Sequence, residues 1–235
     1  MNGPGLLALQ QIDHELDQLA AQAKRLPARA TLAAAEDAHR AWAAERAAQV
    51  AAAERAGEAI TRAEHDASQL DTKRASLEAK LKTIIAPREA EALMNEIATV
   101  KAQRDTIDDA ELQAMEEQSE AEAAIELLDG REPDLHEAIT AARAVLDGEL
   151  ATIGDGLDAW RAKRADAVAA LSADELAFYD QLRTRHGGVG IVHLEGGHRC
   201  SGCHLDLTPA EVDEVKSAPA GELPECPHCG RLIVR

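Results

Sequence analysis

The chain of 235 residues carries 25 Lys and Arg against 43 Asp and Glu, a formal net charge of −18, and 46% of it is hydrophobic while only 2% is aromatic. Such acidity sets most of the surface against phosphate backbones, and an apolar fraction made mostly of Ala and Leu belongs to long helices and coiled coils rather than to an ordinary globular core. There is no run of about 18 apolar residues, and no basic start leading into a hydrophobic segment with a cleavage site, so a soluble, cytoplasmic protein without membrane insertion is expected.

Composition divides the chain. Before residue 178 lie 47 of the 50 alanines; after residue 186 lie 8 of 15 glycines, 4 of 8 prolines and all four cysteines. The break falls at Arg185-His186-Gly187-Gly188, where a Gly pair stops a helical pattern. Two domains follow from this: a coiled coil over 1–186 and a small domain over 187–235.

In the first domain Ile12, Leu16, Leu19, Ala23 and Leu26 recur at alternating steps of four and three, a heptad seam. Residues 33–59 hold 14 alanines and no sharp register. The seam then resumes as Ile60, Ala63, Ala67, Leu70, Leu77, Leu81 and Ile84, with Arg74 at one seam position. The period fails at Ala86-Pro87-Arg88-Glu89, and Pro suits the first turn of a following helix, so a reversal is placed near 85–88. Beyond it come Leu93, Ile97, Val100 and Ile107, then Ile125, Leu128, Leu135, Ile139, Ala142, Leu146, Ile153, Leu157 and Trp160. Apolar seams of equal reach on either side of one turn predict an antiparallel two-helix hairpin, with straight arms of about 110–120 Å. Several shorter helices folded into a bundle are the alternative. Pro27, Gly130-Arg-Glu-Pro133 and the trio Gly148, Gly154 and Gly156 are expected kinks or breaks.

In the second domain Gly188-Val-Gly-Ile-Val-His-Leu-Glu195 and Leu232-Ile-Val-Arg235 read as strands, and Pro209–Val215 after Thr208 as a short capped helix. Cys200-Ser-Gly-Cys203 and Cys226-Pro-His-Cys229 are two Cys-x-x-Cys pairs, the spacing of a four-thiolate zinc site. A disulfide or a thioredoxin-like redox pair is the competing chemistry, and it leaves one of the two pairs unexplained. Cys200, Cys203, Cys226 and Cys229 are therefore the expected ligands of a structural Zn²⁺ that supplies much of this domain's folding free energy. Four thiolates leave the ion no open position, so metal-dependent hydrolysis is not implied.

At these residues the chain resembles the bacterial family of coiled-coil proteins that end in a C4-type zinc ribbon. The likeness is carried by Gly188–Leu205 and Cys226-Pro-His-Cys-Gly230, by Leu176-Ala-Phe-Tyr-Asp-Gln-Leu-Arg183 before them, and by the hairpin tip Pro87-Arg-Glu-Ala-Glu-Ala-Leu-Met-Asn-Glu-Ile97. The resemblance implies a mainly α protein, a long hairpin carrying a zinc ribbon. It also implies an adaptor role, with protein partners in the transcription machinery (alternative sigma factors) or in secretion and flagellar systems, and in some members nucleic acid.

Three function classes remain. A noncatalytic adaptor presents the hairpin tip and the ribbon to protein partners. Residues 80–104 are net +2 in a strongly acidic chain, which suits a docking end with Lys82 as a contact; Arg88 and Glu89 are the candidate tip contacts because they also match the tip motif of the resemblance, and Arg199 and Arg231 lie beside the ribbon's cysteines. The alternative is a nucleic-acid-binding regulator acting through the ribbon. Four bases against seven acids from residue 187 onward, and no aromatic there, disfavour it, because single-strand binding uses stacking platforms in a positive groove. An enzyme is the third class, and neither a phosphate loop nor a nucleophile motif supports it.

Overall fold

The computed structural model describes residues 1–219 and 221–235. Among the described residues six helices and three short strands follow one another as α1 (Gly3–Lys24), α2 (Pro27–Leu81), α3 (Pro87–Asp129), α4 (Glu132–Ala169), α5 (Ala173–Arg185), β1 (Ile191–Glu195), β2 (Arg199–Cys200), α6 (Pro209–Ser217) and β3 (Leu232–Val234). Prolines account for most of the starts. Pro4, Pro27, Pro87, Pro133 and Pro209 each occupy the first or second position of a helix, where a missing N–H costs nothing and a fixed φ is already helical. The helix that lacks one, α5, begins with a capping box instead: Ser172 Oγ accepts from the Glu175 N–H while Glu175 accepts from the Ser172 N–H.

Compactness divides the chain into two units, Thr31–Ala142 and the pair of segments Met1–Ala30 with Arg143–Arg235. The first, the hairpin unit, is a long helical hairpin. Its reversal spans residues 82–86, between Leu81 and Pro87. The seam positions Ile60, Ala63, Ala67, Leu70, Leu77, Leu93, Ile97, Val100, Ile107 and Leu128 are all buried or half-buried, and so is the seam arginine, Arg74. Charges fasten the flanks across the seam, as Lys73 with Glu96 at 3.2 Å and Arg104 with Asp71 at 3.5 Å. The α3–α4 break at Gly130-Arg131 is built from both sides. Pro133 cannot continue the helix, and from α2 the buried Trp42 donates its indole N–H to the Leu128 carbonyl at 2.8 Å. One turn on, Arg46 grips both carboxylate oxygens of Asp129 at 2.5 and 3.2 Å.

The second, the ribbon unit, groups α1, the end of α4, α5, the strands and α6. Its sheet has the order β2-β1-β3, with β2 antiparallel and β3 parallel to β1. Two apolar clusters fill it. Leu6 and Leu9 of α1, Tyr179 and Leu182 of α5, Ile191, Leu232 and Val234 form one; Val192, Leu207, Val212, Val215 and Ile233 form the other around Cys200 and Cys226. Each such side chain taken fully from water contributes about 1.5–3 kcal/mol. A polar network ties α1 to the rest. Asp13, 1% exposed, accepts from the Tyr179 hydroxyl at 2.7 Å and the Arg164 guanidinium at 2.7 Å, with Arg183 at 3.7 Å. Buried Gln10 donates to the Gly188 carbonyl and accepts from the Gly190 N–H. At Gly190 a Cβ would lie 2.8 Å from Leu182 Cβ and 3.0 Å from the Arg183 nitrogen, so only glycine lets β1 start this close to α5.

One expected break is absent. Gly148, Gly154 and Gly156 lie inside α4, which runs without interruption. A lone glycine costs a helix only about 1 kcal/mol, and a Cβ at Gly156 would make no more than ordinary contact with Leu19, at 3.4 Å from its Cδ1. Conversely, the chain breaks at 170–172, inside the coiled coil expected over 1–186.

Candidate metal centre

The four cysteines sit on two matched turns. Cys200 ends β2 and begins the first; Cys226 begins the second, with its N–H donating to the Arg231 carbonyl and its own carbonyl accepting from the Gly230 N–H. The residue after each second cysteine adopts positive φ, Gly230 at 70° and His204 at 59°. Left-handed backbone of this kind turns the chain back around the sulfurs, at a cost of about 1–2 kcal/mol for a side-chain-bearing residue such as His204. Gly202 acts differently: a Cβ there would fall 2.6 Å from Val192 Cγ1.

All four sulfurs lie within 4.8 Å of one another. Cys200 Sγ is 3.9 Å from Cys229 Sγ, and Cys203 Sγ is 3.9 Å from Cys226 Sγ. A tetrahedral Zn²⁺ with Zn–S bonds of about 2.3 Å has S···S edges of about 3.8 Å, so the donor set fits that ion in chemistry and in size. Disulfide formation needs sulfurs at about 2 Å, and all four thiols are free. Burial pushes the Cys226 thiol up to about 12 and raises Cys203 as well. Burial acts the same way on Cys229, but there the Arg231 backbone N–H, its guanidinium and the neighbouring thiols outweigh it and bring the group down to about 7.

Two family models match most of the chain. Residues 9–187 match the CT398-like coiled coil hairpin domain and residues 199–233 the C4-type zinc ribbon domain. The chain belongs to the CT398-like hairpin family. It is similar to the uncharacterized protein Rv2229c of Mycobacterium tuberculosis, with 28% identity over 234 residues that cover 98% of this chain and 94% of that one. Among solved structures it resembles CT398 of Chlamydia trachomatis, with a TM-score of 0.83, 19% identity and coverage of 98% and 95%. A Mycobacterium smegmatis protein matches with a TM-score of 0.80, 21% identity and coverage of 99% and 97%. At such identities the likeness shows the fold.

The remaining candidate residues separate by environment. Lys82 lies in the reversal, and Arg88 and Glu89 lie in the first turn of α3; all three are exposed. Arg199 is exposed, 4.0 Å from Asp206. Arg231 is half-buried, and its guanidinium donates to the Val189 and His186 carbonyls. His204 and His228 are not among the converging ligands; His228 faces Glu211 at 4.0 Å. Ile85, 96% exposed in the reversal, is the tip residue that the seam pattern overlooked. Its signal was an isoleucine one position past the last seam residue, Ile84, next to a helix-stopping Ala-Pro. No described helix is long and apolar enough to cross a membrane.

Proposed function

We propose that this zinc-binding coiled-coil protein is a noncatalytic adaptor, held together at its ribbon by Zn²⁺ on Cys200, Cys203, Cys226 and Cys229, and offering its hairpin tip to an acidic protein partner. The exposure of Ile85 carries this reading. An isoleucine 96% exposed, in a segment where Lys80, Lys82 and Arg88 are exposed against Glu89, is an apolar side chain in a locally basic stretch of a chain of net charge −18. That combination suits a partner surface with an apolar socket and carboxylates at its rim, where the socket supplies the free energy and the charges supply rate and orientation. A closed tetrahedron of sulfur has no site for water or substrate, which favours a structural ion over a catalytic one.

The nucleic-acid alternative loses ground in the ribbon's own bases. Of its four, Arg231 is spent on the carbonyls above and Arg235 on those of Lys216, Ala218, Pro219 and Glu222. Placing a photo-crosslinking residue at position 85 of the full chain tests the adaptor reading in cells. The expected result is a discrete protein adduct that disappears when Lys82→Glu and Arg88→Glu are added. Adducts confined to nucleic acid, or a protein adduct indifferent to the charge reversals, would overturn it.

A further inference from the structure

In the hairpin unit, three potential ligands from two helices meet beside the α3–α4 break, and neither the seam nor the ribbon uses them. Glu132 and His136 stand one turn apart at the start of α4, with His136 Nε2 3.6 Å from Glu132 Oε1. From α2 the His39 ring lies opposite, its centroid 4.9 Å from that of His136 and the planes tilted by 54°.

We propose that His39, His136 and Glu132 form a second metal site, for a divalent transition ion such as Zn²⁺ or Ni²⁺, that clips α2 to α4. Two imidazoles bound to one ion at about 2.0–2.1 Å, with an N–M–N angle of 90–110°, have ring centroids about 4.5–5.2 Å apart. The 4.9 Å separation falls inside that window. Imidazole with carboxylate is a donor set for borderline divalent ions, distinct from the four soft thiolates of the ribbon. His136 and Glu132 are 60% and 47% exposed, which leaves room for water on the remaining coordination positions.

The helices here are already braced. His39 packs on Trp42 at 5.1 Å, Trp42 is tied to the Leu128 carbonyl, and Arg46 is tied to Asp129, so the two backbones that carry the ligands are held in register before any ion arrives. Among the described residues, only the four cysteines have three or more ligand atoms already converged. The helical site therefore closes as the ion binds, with Glu132 already beside His136 and the His39 ring completing the set. The surrounding acidity raises the local concentration of dications.

Trp42 provides the reporter. In tag-free, full-length protein with its ribbon zinc in place and Trp160→Phe removing the other indole, Ni²⁺ is titrated while tryptophan emission is followed. The expected result is saturable quenching, because a paramagnetic ion on His39 sits within ring contact of Trp42. His136→Ala, an exposed substitution that leaves the helix intact, is expected to weaken it at least tenfold. Calorimetry with Zn²⁺ is expected to show one equivalent beyond the ribbon's, absent from His136→Ala. Unsaturable quenching, quenching unchanged by His136→Ala, or Ni²⁺ uptake matched by release of ribbon zinc would each overturn the proposal. Failure of the tip crosslink in cells would leave these titrations untouched, so the two readings fail separately.

Discussion

Asp13→Ala removes the acceptor at the centre of the ribbon unit's polar network, and its cost follows from what is left behind. The carboxylate is 1% exposed and takes two hydrogen bonds of 2.7 Å, from Tyr179 and Arg164. Breaking a buried ion pair by deleting one partner costs about 3–5 kcal/mol, and a stranded phenol hydroxyl alone costs about 1–3 kcal/mol. Tyr179 is fully buried and cannot turn to water, whereas Arg164 and Arg183 are 34% and 27% exposed and can. The loss therefore sits at the low end, about 3 kcal/mol, or about a hundredfold in the opening equilibrium. Tyr179→Phe is expected to cost only about 1 kcal/mol, since Asp13 keeps its arginines. The double variant should fall short of the sum by about 1 kcal/mol, because the phenol is already unpaired once the carboxylate is gone. Amide hydrogen exchange at Ile191 and Val192 reads the opening of this unit directly. An Asp13→Ala variant within a factor of about two of the parent, or strict additivity with Tyr179→Phe, would refute the argument that this carboxylate couples α1 to α5.

Removing zinc with a chelator, or replacing Cys226 by Ser, should unfold the sheet and expose Val192, Val212, Val215 and Ile233, while the helical circular dichroism of the hairpin unit persists; loss of all helix on chelation would contradict this. Zinc uptake should release protons and weaken as pH falls, because Cys226, held up near 12 by burial, must be deprotonated to ligate; potentiometric titration measures it. Trp42→Phe should destabilise the hairpin unit by about 1–2 kcal/mol in urea melts, since the Leu128 carbonyl loses a buried donor. Glu175, whose carboxylate accepts from the Ser172 and Asn2 backbone N–H groups, has its folded pKa lowered from 4.5, so its contribution is complete above that value and lost as pH drops through the folded value. Glu175→Gln should therefore be less stable than the parent at pH 7, and the gap should close in acid.

What was legible was whatever has a local period or a local spacing. Ile12, Leu16 and Leu19 announce a seam because steps of four and three mean one helix face, and Cys-x-x-Cys twice over means one ion because the turn between the cysteines is short. The prolines were legible for the same reason, each acting on its own backbone. The glycines of α4 misled because a breaker is a cost of about 1 kcal/mol rather than a command, and a long helix absorbs it. Ser172-Ala-Asp-Glu175 carried a readable capping box, but the coiled coil expected over 1–186 hid it.

Harder to read from the sequence is what α1 packs against. Composition divides the chain after residue 186, yet compactness joins Met1–Ala30 to Arg143–Arg235, because composition reports local propensity and not what a residue meets far along the chain. Asp13 meets Tyr179, 166 positions away, and Gln10 meets Gly190, 180 positions away. A trace was nevertheless present. Leu6, Leu9, Gln10 and Asp13 stand at i, i+3, i+4 and i+7, a second helical stripe beside the heptad seam, and all four are buried. Two polar members at core spacing ordinarily demote such a stripe to surface. They are equally the mark of a buried network, since a polar residue survives at a core position only where its hydrogen bonds are met. The choice between those meanings depends on whether distant donors exist, and here the family-like segment Leu176–Arg183 supplies them in Tyr179 and Arg183. The residues that carry the resemblance are thus, in part, the partners of a helix that holds none of its motifs.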